Sequence, residues 1–251
     1  MDRLQSILSR QLVGYNASRI KKDNNLVVKS RLMRTNATDL VEFDRSEELL
    51  EVRLNRPDKL NALNPEMVQG LHDAFTRVSD ERGLGVVITG SGRVTCAGMD
   101  TEIVSGDYSE YPDLHATLQE VYQLVETHPG PVAIAGRGAL VGAGVIISLS
   151  CEFVVLGEDV TFAIPEVKYD IASSQAADRL PEVVGRRAAA ELLLTGEEVD
   201  PERARSLGLA TDVVPSDAVE DRTRELIATV GEHDTETVAE LIELLNRRND
   251  A

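Results

Sequence analysis

The chain has 251 residues, of which 42% are hydrophobic, enough for one well-buried domain. Its net charge of −17 at pH 7 argues against a nucleic-acid partner, because the phosphates would be repelled. The absence of any run of about 18 apolar residues excludes a membrane-spanning helix. The two cysteines, Cys96 and Cys151, lack paired spacing, which predicts a reducing, cytoplasmic setting with neither a disulfide framework nor a metal site.

Charge is distributed unevenly along the chain. Residues 1–38 carry eight lysines and arginines against two aspartates, and the remainder is strongly acidic. Lysine is scarce throughout, with 5 lysines beside 21 arginines. Because salt screens the repulsion between acidic side chains, this composition predicts a halophilic protein. An acidic protein from a cell of ordinary salt concentration is the alternative. We interpret residues 1–38 as a basic extension, either disordered or produced by a start site placed upstream of Met33, with a partner-binding arm as the other reading.

Hydrophobic periodicity predicts a mixed α/β chain. The first elements are expected to be two strands within 40–57, a helix at 64–80, a strand at 85–90, a helix at 112–127, a strand at 131–138, a buried helix at 144–151 and two strands within 152–164. Further helices are expected around 172–180, 186–194, 201–207, 216–230 and 235–248. Strand, strand and helix thus repeat about three times before the final helices, unlike the strict alternation of a doubly wound nucleotide fold.

A glycine-rich turn follows the strand at 85–90, in TGSGRVTCAGMD (89–100). Phosphate binding is disfavoured there, because Thr95 stands where a dinucleotide fingerprint needs its third glycine. The other use of such a turn is to point a backbone N–H, near Gly98 and Met99, into a pocket. A plain connecting turn is the alternative.

A second stretch of small residues, VGAGVI (141–146), opens the expected buried helix. Gly142, Ala143 and Gly144 either pack closely against a neighbouring strand or leave the first N–H groups of the helix facing a ligand. Two backbone donors aimed at one oxygen from this stretch and the preceding turn would form an oxyanion hole.

Glu166 is the candidate acid–base residue. It follows Pro165 at the end of a predicted strand pair, in an apolar setting where desolvation raises a carboxyl pKa and suits a general base; a solvated turn glutamate is the alternative. Cys96 has no histidine or cationic neighbour in sequence, which favours a buried thiol. None of the four histidines pairs at ligand spacing; they are His72, His115, His128 and His233.

Five stretches together resemble the crotonase (enoyl-CoA hydratase/isomerase) superfamily in order and spacing. They are LNRPDKLNALN (54–64), GVVITGSGRVTCAGMD (85–100), PVAIAGRGALVGAGVIISLSCEFVV (131–155), FAIPEVKYDI (162–171) and RLPEVVGRRAAAELLLTGEEVDPERARSLGLATDVVP (179–215). The resemblance implies a ββα spiral core, here residues 39–195, followed by a C-terminal helical region, 196–251, used for oligomerisation into homotrimers or homohexamers. It also implies an acyl-CoA thioester substrate, with coenzyme A as part of the substrate and no separate cofactor.

The resemblance assigns the backbone N–H groups of Met99 and Ala143 to an oxyanion hole and Glu166 to the catalytic glutamate. Hydratases of the family carry a further glutamate at the position held here by Ile146. An apolar residue there with a single glutamate in the later motif looks like the family's 3-enoyl-CoA isomerases, so isomerisation is the favoured activity. Hydration, another thioester reaction such as hydrolysis or decarboxylation, and a catalytically silent acyl-CoA-binding protein remain alternatives.

Substrate contacts carried over from the same motifs are Lys59, Ala62, Ala97, Gly98, Asp100 and Gly142. Two features depart from the family pattern. Glu102 stands where hydratases often carry a lysine that binds coenzyme A, and YDIASSQAAD (169–178) lacks the usual Gly-Pro-Gly. Tyr169 and Asp170 in that loop are candidate substitute acids, with turn and packing roles as the alternative. Arg56 is a further candidate for the phosphates of coenzyme A.

Overall fold

A computed structural model of the protein describes residues 33–105 and 111–247, with backbone alone for 33–38. The predictions made for residues 1–32 lie outside this range. Within it, none of the helices has the length and apolar character needed to cross a membrane.

The described residues form ten strands in two sheets. The strands are β1 (Met33–Thr38), β2 (Val41–Arg45), β3 (Leu49–Leu54), β4 (Gly85–Gly90), β5 (Val132–Gly136), β6 (Ala139–Val141), β7 (Phe153–Gly157), β8 (Thr161–Ala163), β9 (Glu198–Val199) and β10 (Asp212–Val214). The larger sheet has the order β1-β2-β3-β4-β5-β7-β10, antiparallel across β1, β2 and β3 and parallel from β3 onward. The smaller has the order β6-β8-β9.

Eight helices occur within the same ranges. They are α1 (Pro65–Val78), α2 (Thr101–Val104), α3 (Leu114–Glu126), α4 (Ala143–Ser148), α5 (Ser174–Thr195), α6 (Pro201–Ser206), α7 (Val219–Gly231) and α8 (Thr235–Leu245), with 3₁₀ turns at Pro57–Lys59 and Glu166–Tyr169. Asn64 starts α1 by accepting a hydrogen bond from the Met67 N–H at 2.9 Å, and Pro65 occupies the first turn, as the sequence predicts. Gly185, at φ +75°, bends α5 and accounts for the two shorter helices expected there.

The central strands are buried on both faces. Val86 and Ile88 of β4 join the main core, whereas Val87 between them packs with Ala133 and with Ile227 of α7. A strand covered on both sides has no polar face, which is why GVVITG (85–90) reads as a continuous apolar run.

The predicted mixed α/β class with helices at the C-terminus is confirmed. The sheet starts earlier than the boundary placed at residue 38, because Met33–Thr38 pairs antiparallel with β2. The predicted helical region at 196–251 also supplies β9 and β10, which pair with β8 and β7. These strands have two and three residues, too few to show a period of two in sequence.

Candidate active site

The turn after β4 is fixed between two other segments of chain. The Leu63 N–H donates to the Gly98 carbonyl at 2.7 Å, and the Asp100 N–H donates to the Leu63 carbonyl at 2.9 Å. Cys96 bridges to Leu140 of β6 on the other side. Met99 lies in the middle of this frame, and its N–H donates to no acceptor among the described residues.

Gly98 brings that turn against the start of α4. Its φ is +91°, and a Cβ atom placed on it would lie 3.0 Å from the Val141 carbonyl oxygen and 3.8 Å from the Ala143 nitrogen. Ala143 is the first residue of α4, and its N–H likewise has no acceptor in the part of the chain that the structure describes. Two uncommitted N–H donors on adjacent segments can hold one developing oxyanion.

The two glycines around Ala143 serve different purposes. Gly144 allows close packing, because a Cβ there would lie 3.0 Å from the Cys96 sulfur. Gly142, at φ +52°, gives space to a functional group, because a Cβ there would lie 3.0 Å from Oε1 of Glu166. Close packing, one of the two readings of this small-residue stretch, therefore applies to Gly144, and the reading in which the first N–H groups of the helix face a ligand stays a prediction.

Glu166 begins the 3₁₀ turn after β8 and reaches back to the start of α4. Its Oε2 is buried and makes no hydrogen bond within the described residues. Burial raises the pKa of the Glu166 carboxyl, and a hydrogen bond from its own backbone N–H opposes that rise. A carboxyl with a raised pKa can both remove and return a proton near neutral pH.

A cavity of about 240 Å³ joins these groups. Met99, Ala143 and Glu166 line it, and so does Ile146, whose side chain is almost fully buried one turn into α4. Glu166 is the single acidic side chain among the described lining residues. The position where the resemblance puts a second glutamate therefore presents a hydrocarbon surface to the cavity.

The predicted substrate contacts divide into two groups. Ala97, Gly98 and Gly142 line the cavity together with Glu166 and the two predicted oxyanion donors. Lys59, Ala62 and Asp100 lie outside its lining.

The charges beside the cavity are already paired. Asp100 is buried, accepts a hydrogen bond from Nη1 of Arg56 at 2.6 Å and caps α2 through the Glu102 N–H. The same Arg56 nitrogen donates to the Ala62 carbonyl at 3.0 Å. Lys59 pairs with Glu102 at 2.9 Å in an exposed contact. This geometry gives Asp100 and Arg56 a structural role. Contact of these two residues, or of Lys59 and Ala62, with substrate stays a prediction.

The two candidate substitute acids are separated by the fold. Tyr169 lines the cavity, although its ring is more than half exposed. Asp170 ends the 3₁₀ turn at φ +58° and lies outside the lining, consistent with a turn role. Burial raises the pKa of the Cys96 thiol to about 11, so Cys96 is the buried, un-ionised thiol that the sequence favours.

Faces of α2 and α3 and the segment that leads into α5 supply the lining residues that the sequence did not reveal. They are Thr101, Val104, His115, Leu118, Tyr122, Ile171, Ala172, Ser173, Ser174 and Gln175. Helical periodicity identifies the apolar stripe of α3, but it does not show which part of the stripe faces a cavity. The signal for 171–175 was the missing Gly-Pro-Gly, which marked the wall as altered without indicating its new shape.

Fold and site together define an α/β scaffold whose cavity is lined by two residues with uncommitted backbone N–H groups and by one partly buried glutamate. The family model for enoyl-CoA hydratase/isomerase matches residues 44–250. The chain belongs to this family, and thereby to the crotonase superfamily.

Named relatives and solved structures agree with this membership. The chain is 32% identical over 177 residues to the probable enoyl-CoA hydratase echA6 of Mycobacterium tuberculosis (strain CDC 1551 / Oshkosh), covering 69% of this chain and 70% of the relative. It is 30% identical over 192 residues to the 2,3-dehydroadipyl-CoA hydratase of Escherichia coli (strain K12), covering 75% and 74%. The crystal structure of an enoyl-CoA hydratase from Mycobacterium smegmatis superposes with a TM-score of 0.78 at 29% identity, covering 85% of each chain.

Proposed function

We propose that the protein moves the double bond of a 3-enoyl-CoA to the 2-position, using Glu166 as both base and acid. The observation that carries this proposal is that Glu166, whose Oε2 is buried, and the buried Ile146 line the same cavity, with no second acidic side chain among the described lining residues. Moving a double bond needs one group that takes a proton from one carbon and gives it to another.

The proposed reaction has two steps. The thioester oxygen accepts hydrogen bonds from the Met99 and Ala143 N–H groups, which lowers the energy of an enolate. Glu166 removes a proton from C2, and the electrons of that C–H bond enter a dienolate with negative charge on the thioester oxygen. The protonated Glu166 then delivers the same proton to C4, which leaves the double bond between C2 and C3. No other reactant is consumed.

The burial of Glu166 supports both steps. Oε2 of Glu166 is buried without a hydrogen-bond partner among the described residues, and burial raises the pKa of the carboxyl, so the carboxylate is a stronger base than one in water. Once it has taken the proton, the same carboxyl is the acid that returns it. Ile146 keeps an additional water-binding group out of the cavity, which favours return of the proton to substrate over addition of water.

Hydration of a 2-enoyl-CoA is the second candidate, and the names of the relatives favour it. Relatives in Mycobacterium tuberculosis and Escherichia coli are both named hydratases, the latter for 2,3-dehydroadipyl-CoA. In this chain a hydratase would have to orient water with Glu166 and a group other than a carboxylate, and Tyr169 is a phenol on the cavity wall, as is the buried Tyr122.

A paired assay in high salt separates the two candidates. Purified protein receives a 3-enoyl-CoA and, separately, a 2-enoyl-CoA, and conjugation and hydration are followed by absorbance. We expect conjugation without hydration, and a loss of about 10²-fold or more in Glu166→Gln. Glu158→Gln, at an exposed turn glutamate outside the cavity lining, is the matched control. Hydration in place of conjugation would favour the second candidate, and binding without either reaction would point to the catalytically silent alternative.

A further inference from the structure

The first residues of α5 give the cavity a wall of hydrogen-bond donors. Ser173 and Gln175 both line the cavity, and each has its acceptor oxygen engaged within the protein. They come from a different segment than Met99 and Ala143, whose N–H groups serve the thioester oxygen.

Arg179 fixes the orientation of the Gln175 amide. Nη1 of Arg179 donates to Oε1 of Gln175 at 2.5 Å. A guanidinium has donors and no acceptor, so the amide must turn its oxygen toward Arg179 and its NH₂ group away. The Gln175 NH₂ has no acceptor among the described residues.

Arg179 is itself held in place. Its side chain is more than nine-tenths buried, its Nη2 pairs with Oε2 of Glu126 at 2.6 Å, and its guanidinium carbon lies 5.8 Å from the centre of the Tyr122 ring. A buried cation with these contacts loses too much by moving to release Gln175. The Gln175 amide is therefore held in one orientation, with its oxygen toward Arg179, and does not flip.

The Ser173 hydroxyl likewise has its oxygen engaged and its hydrogen free among the described residues. Its Oγ accepts a hydrogen bond from the Ala176 N–H at 3.3 Å and so caps α5. The hydroxyl hydrogen is left without an acceptor in the described part of the chain. Ser173 and Gln175 are partly exposed and therefore offer two donors to whatever occupies the cavity; a saturated hydrocarbon that displaced the water around them would leave both unsatisfied.

We infer that the acyl chain of the substrate carries an oxygen acceptor, a carboxylate or a carbonyl beyond the thioester, and that Gln175 is the residue that selects it. This inference rests on the proposed function only in taking the cavity to hold the acyl thioester. The charge-assisted hydrogen bond from Arg179 to the amide oxygen of Gln175 polarises the N–H bonds of the amide toward such an oxygen.

Binding of saturated thioesters tests the inference without any turnover. Hexanoyl-CoA, adipyl-CoA and the methyl ester of adipyl-CoA have the same six-carbon acyl chain and differ in its far end. Calorimetry should show one or both oxygen-bearing ligands binding at least about fivefold more tightly than hexanoyl-CoA, the range for one or two hydrogen bonds. Tighter binding of adipyl-CoA alone identifies a carboxylate, and tighter binding of the ester as well identifies a carbonyl.

Variants at residue 175 locate the selection. Gln175→Met keeps the length of the side chain and should bring the affinity ratio to about one, while hexanoyl-CoA binding is unchanged. Gln175→Glu keeps the contact with Arg179 but has no donor, and should also lose the preference. Gln69→Met, on the exposed face of α1, should behave as wild type.

Equal affinity of the wild type for all three ligands, or an equal loss for all three in Gln175→Met, would overturn the inference. A preserved preference in a protein that fails the paired assay would instead count against the isomerase proposal alone, because these ligands have no double bond to move.

Discussion

A Cβ atom placed on Gly142 would lie 3.0 Å from Oε1 of Glu166. Gly142 is also the residue immediately before Ala143, whose N–H is a proposed oxyanion donor. One glycine thus sets both the approach of the carboxylate and the first turn of the helix that carries the proposed oxyanion donor.

Gly142→Ala should therefore reduce the rate more than the stability. The added methyl group meets Oε1 of Glu166 at a contact tighter than ordinary packing, and φ +52° is strained for alanine. We expect a loss of at least about tenfold in kcat, because small misplacement of a catalytic group is costly. Steady-state kinetics on folded protein, checked by thermal unfolding, measures it.

Substitutions at two other glycines distinguish the effect of backbone strain from the effect of contact with Glu166. Gly185 has φ +75° with nothing within 4 Å of an added Cβ, and Gly231 has open space without a positive φ. Gly185→Ala should lose stability but keep its kcat, and Gly231→Ala should keep both. If Gly142→Ala resembled Gly185→Ala, the contact with Glu166 would have no catalytic consequence.

The fall in rate on the acid side of the pH–rate profile should reflect protonation of the Glu166 carboxylate. Only the carboxylate can take a proton, so kcat/KM should fall as pH drops through the pKa of the free enzyme. Because burial raises that pKa, the fall should be centred above the usual glutamate value of 4.5. A profile that stays flat down to that value would mean that a different group is the base. Conjugation rates in buffers of constant ionic strength provide the measurement.

The fold and the backbone part of the site could be predicted from the sequence, for identifiable physical reasons. The apolar runs at 85–90 and 131–138 belong to strands buried on two faces, and the cap at Asn64 is a local signal. Glu166 was found because its motif stands next to a strand pair. The orientation of the Gln175 N–H donors could not be predicted, because it depends on Arg179 and through it on Glu126, 49 positions before Gln175. Contacts of that range leave no periodic trace in the chain.

Ile146→Glu should introduce hydration. The residue is 4% exposed and lines the cavity with Glu166, so a carboxylate there can hold a water molecule against a bound 2-enoyl-CoA. We expect hydration at least about tenfold above that of the wild type, with a loss of stability of about 1–3 kcal/mol from burying the carboxyl group. Ile146→Gln, which can bind water but cannot exchange its proton, is the control and should gain much less. Equal hydration in both variants would contradict this account.

Glu152 should make the protein less stable as pH rises. Its carboxyl is largely buried and accepts a hydrogen bond from the Val132 N–H at 2.8 Å, and burial raises its pKa to about 7 from 4.5. Between these values the folded state holds more protons than the unfolded state, so the free energy of unfolding contributed by this group falls with increasing pH. The full effect is at most about 3 kcal/mol, reached above pH 7.

Glu152→Gln removes that titration while keeping an acceptor for the Val132 N–H. Urea unfolding at pH 5 and pH 8 should show a gain over wild type that is larger at pH 8. Glu158→Gln, at an exposed position, should show no such difference. A gain that is equal at both pH values would indicate that Glu152 does not titrate between them.

Salt should raise the unfolding temperature. With a net charge of −17, the folded protein repels itself, and added ions screen that repulsion. Screening also weakens ion pairs such as Arg224–Glu51 and Arg137–Glu220, but partly exposed pairs contribute only about 0–1 kcal/mol each. We expect the midpoint to rise by at least about 4 °C between 0.1 and 1 M KCl, equivalent to roughly 1–2 kcal/mol for a domain of this size. Sucrose at matched osmolality controls for exclusion from the surface. A midpoint that fell with KCl would show that stabilisation by ion pairs exceeds the repulsion caused by the net charge. The acidic composition would then indicate no adaptation to salt.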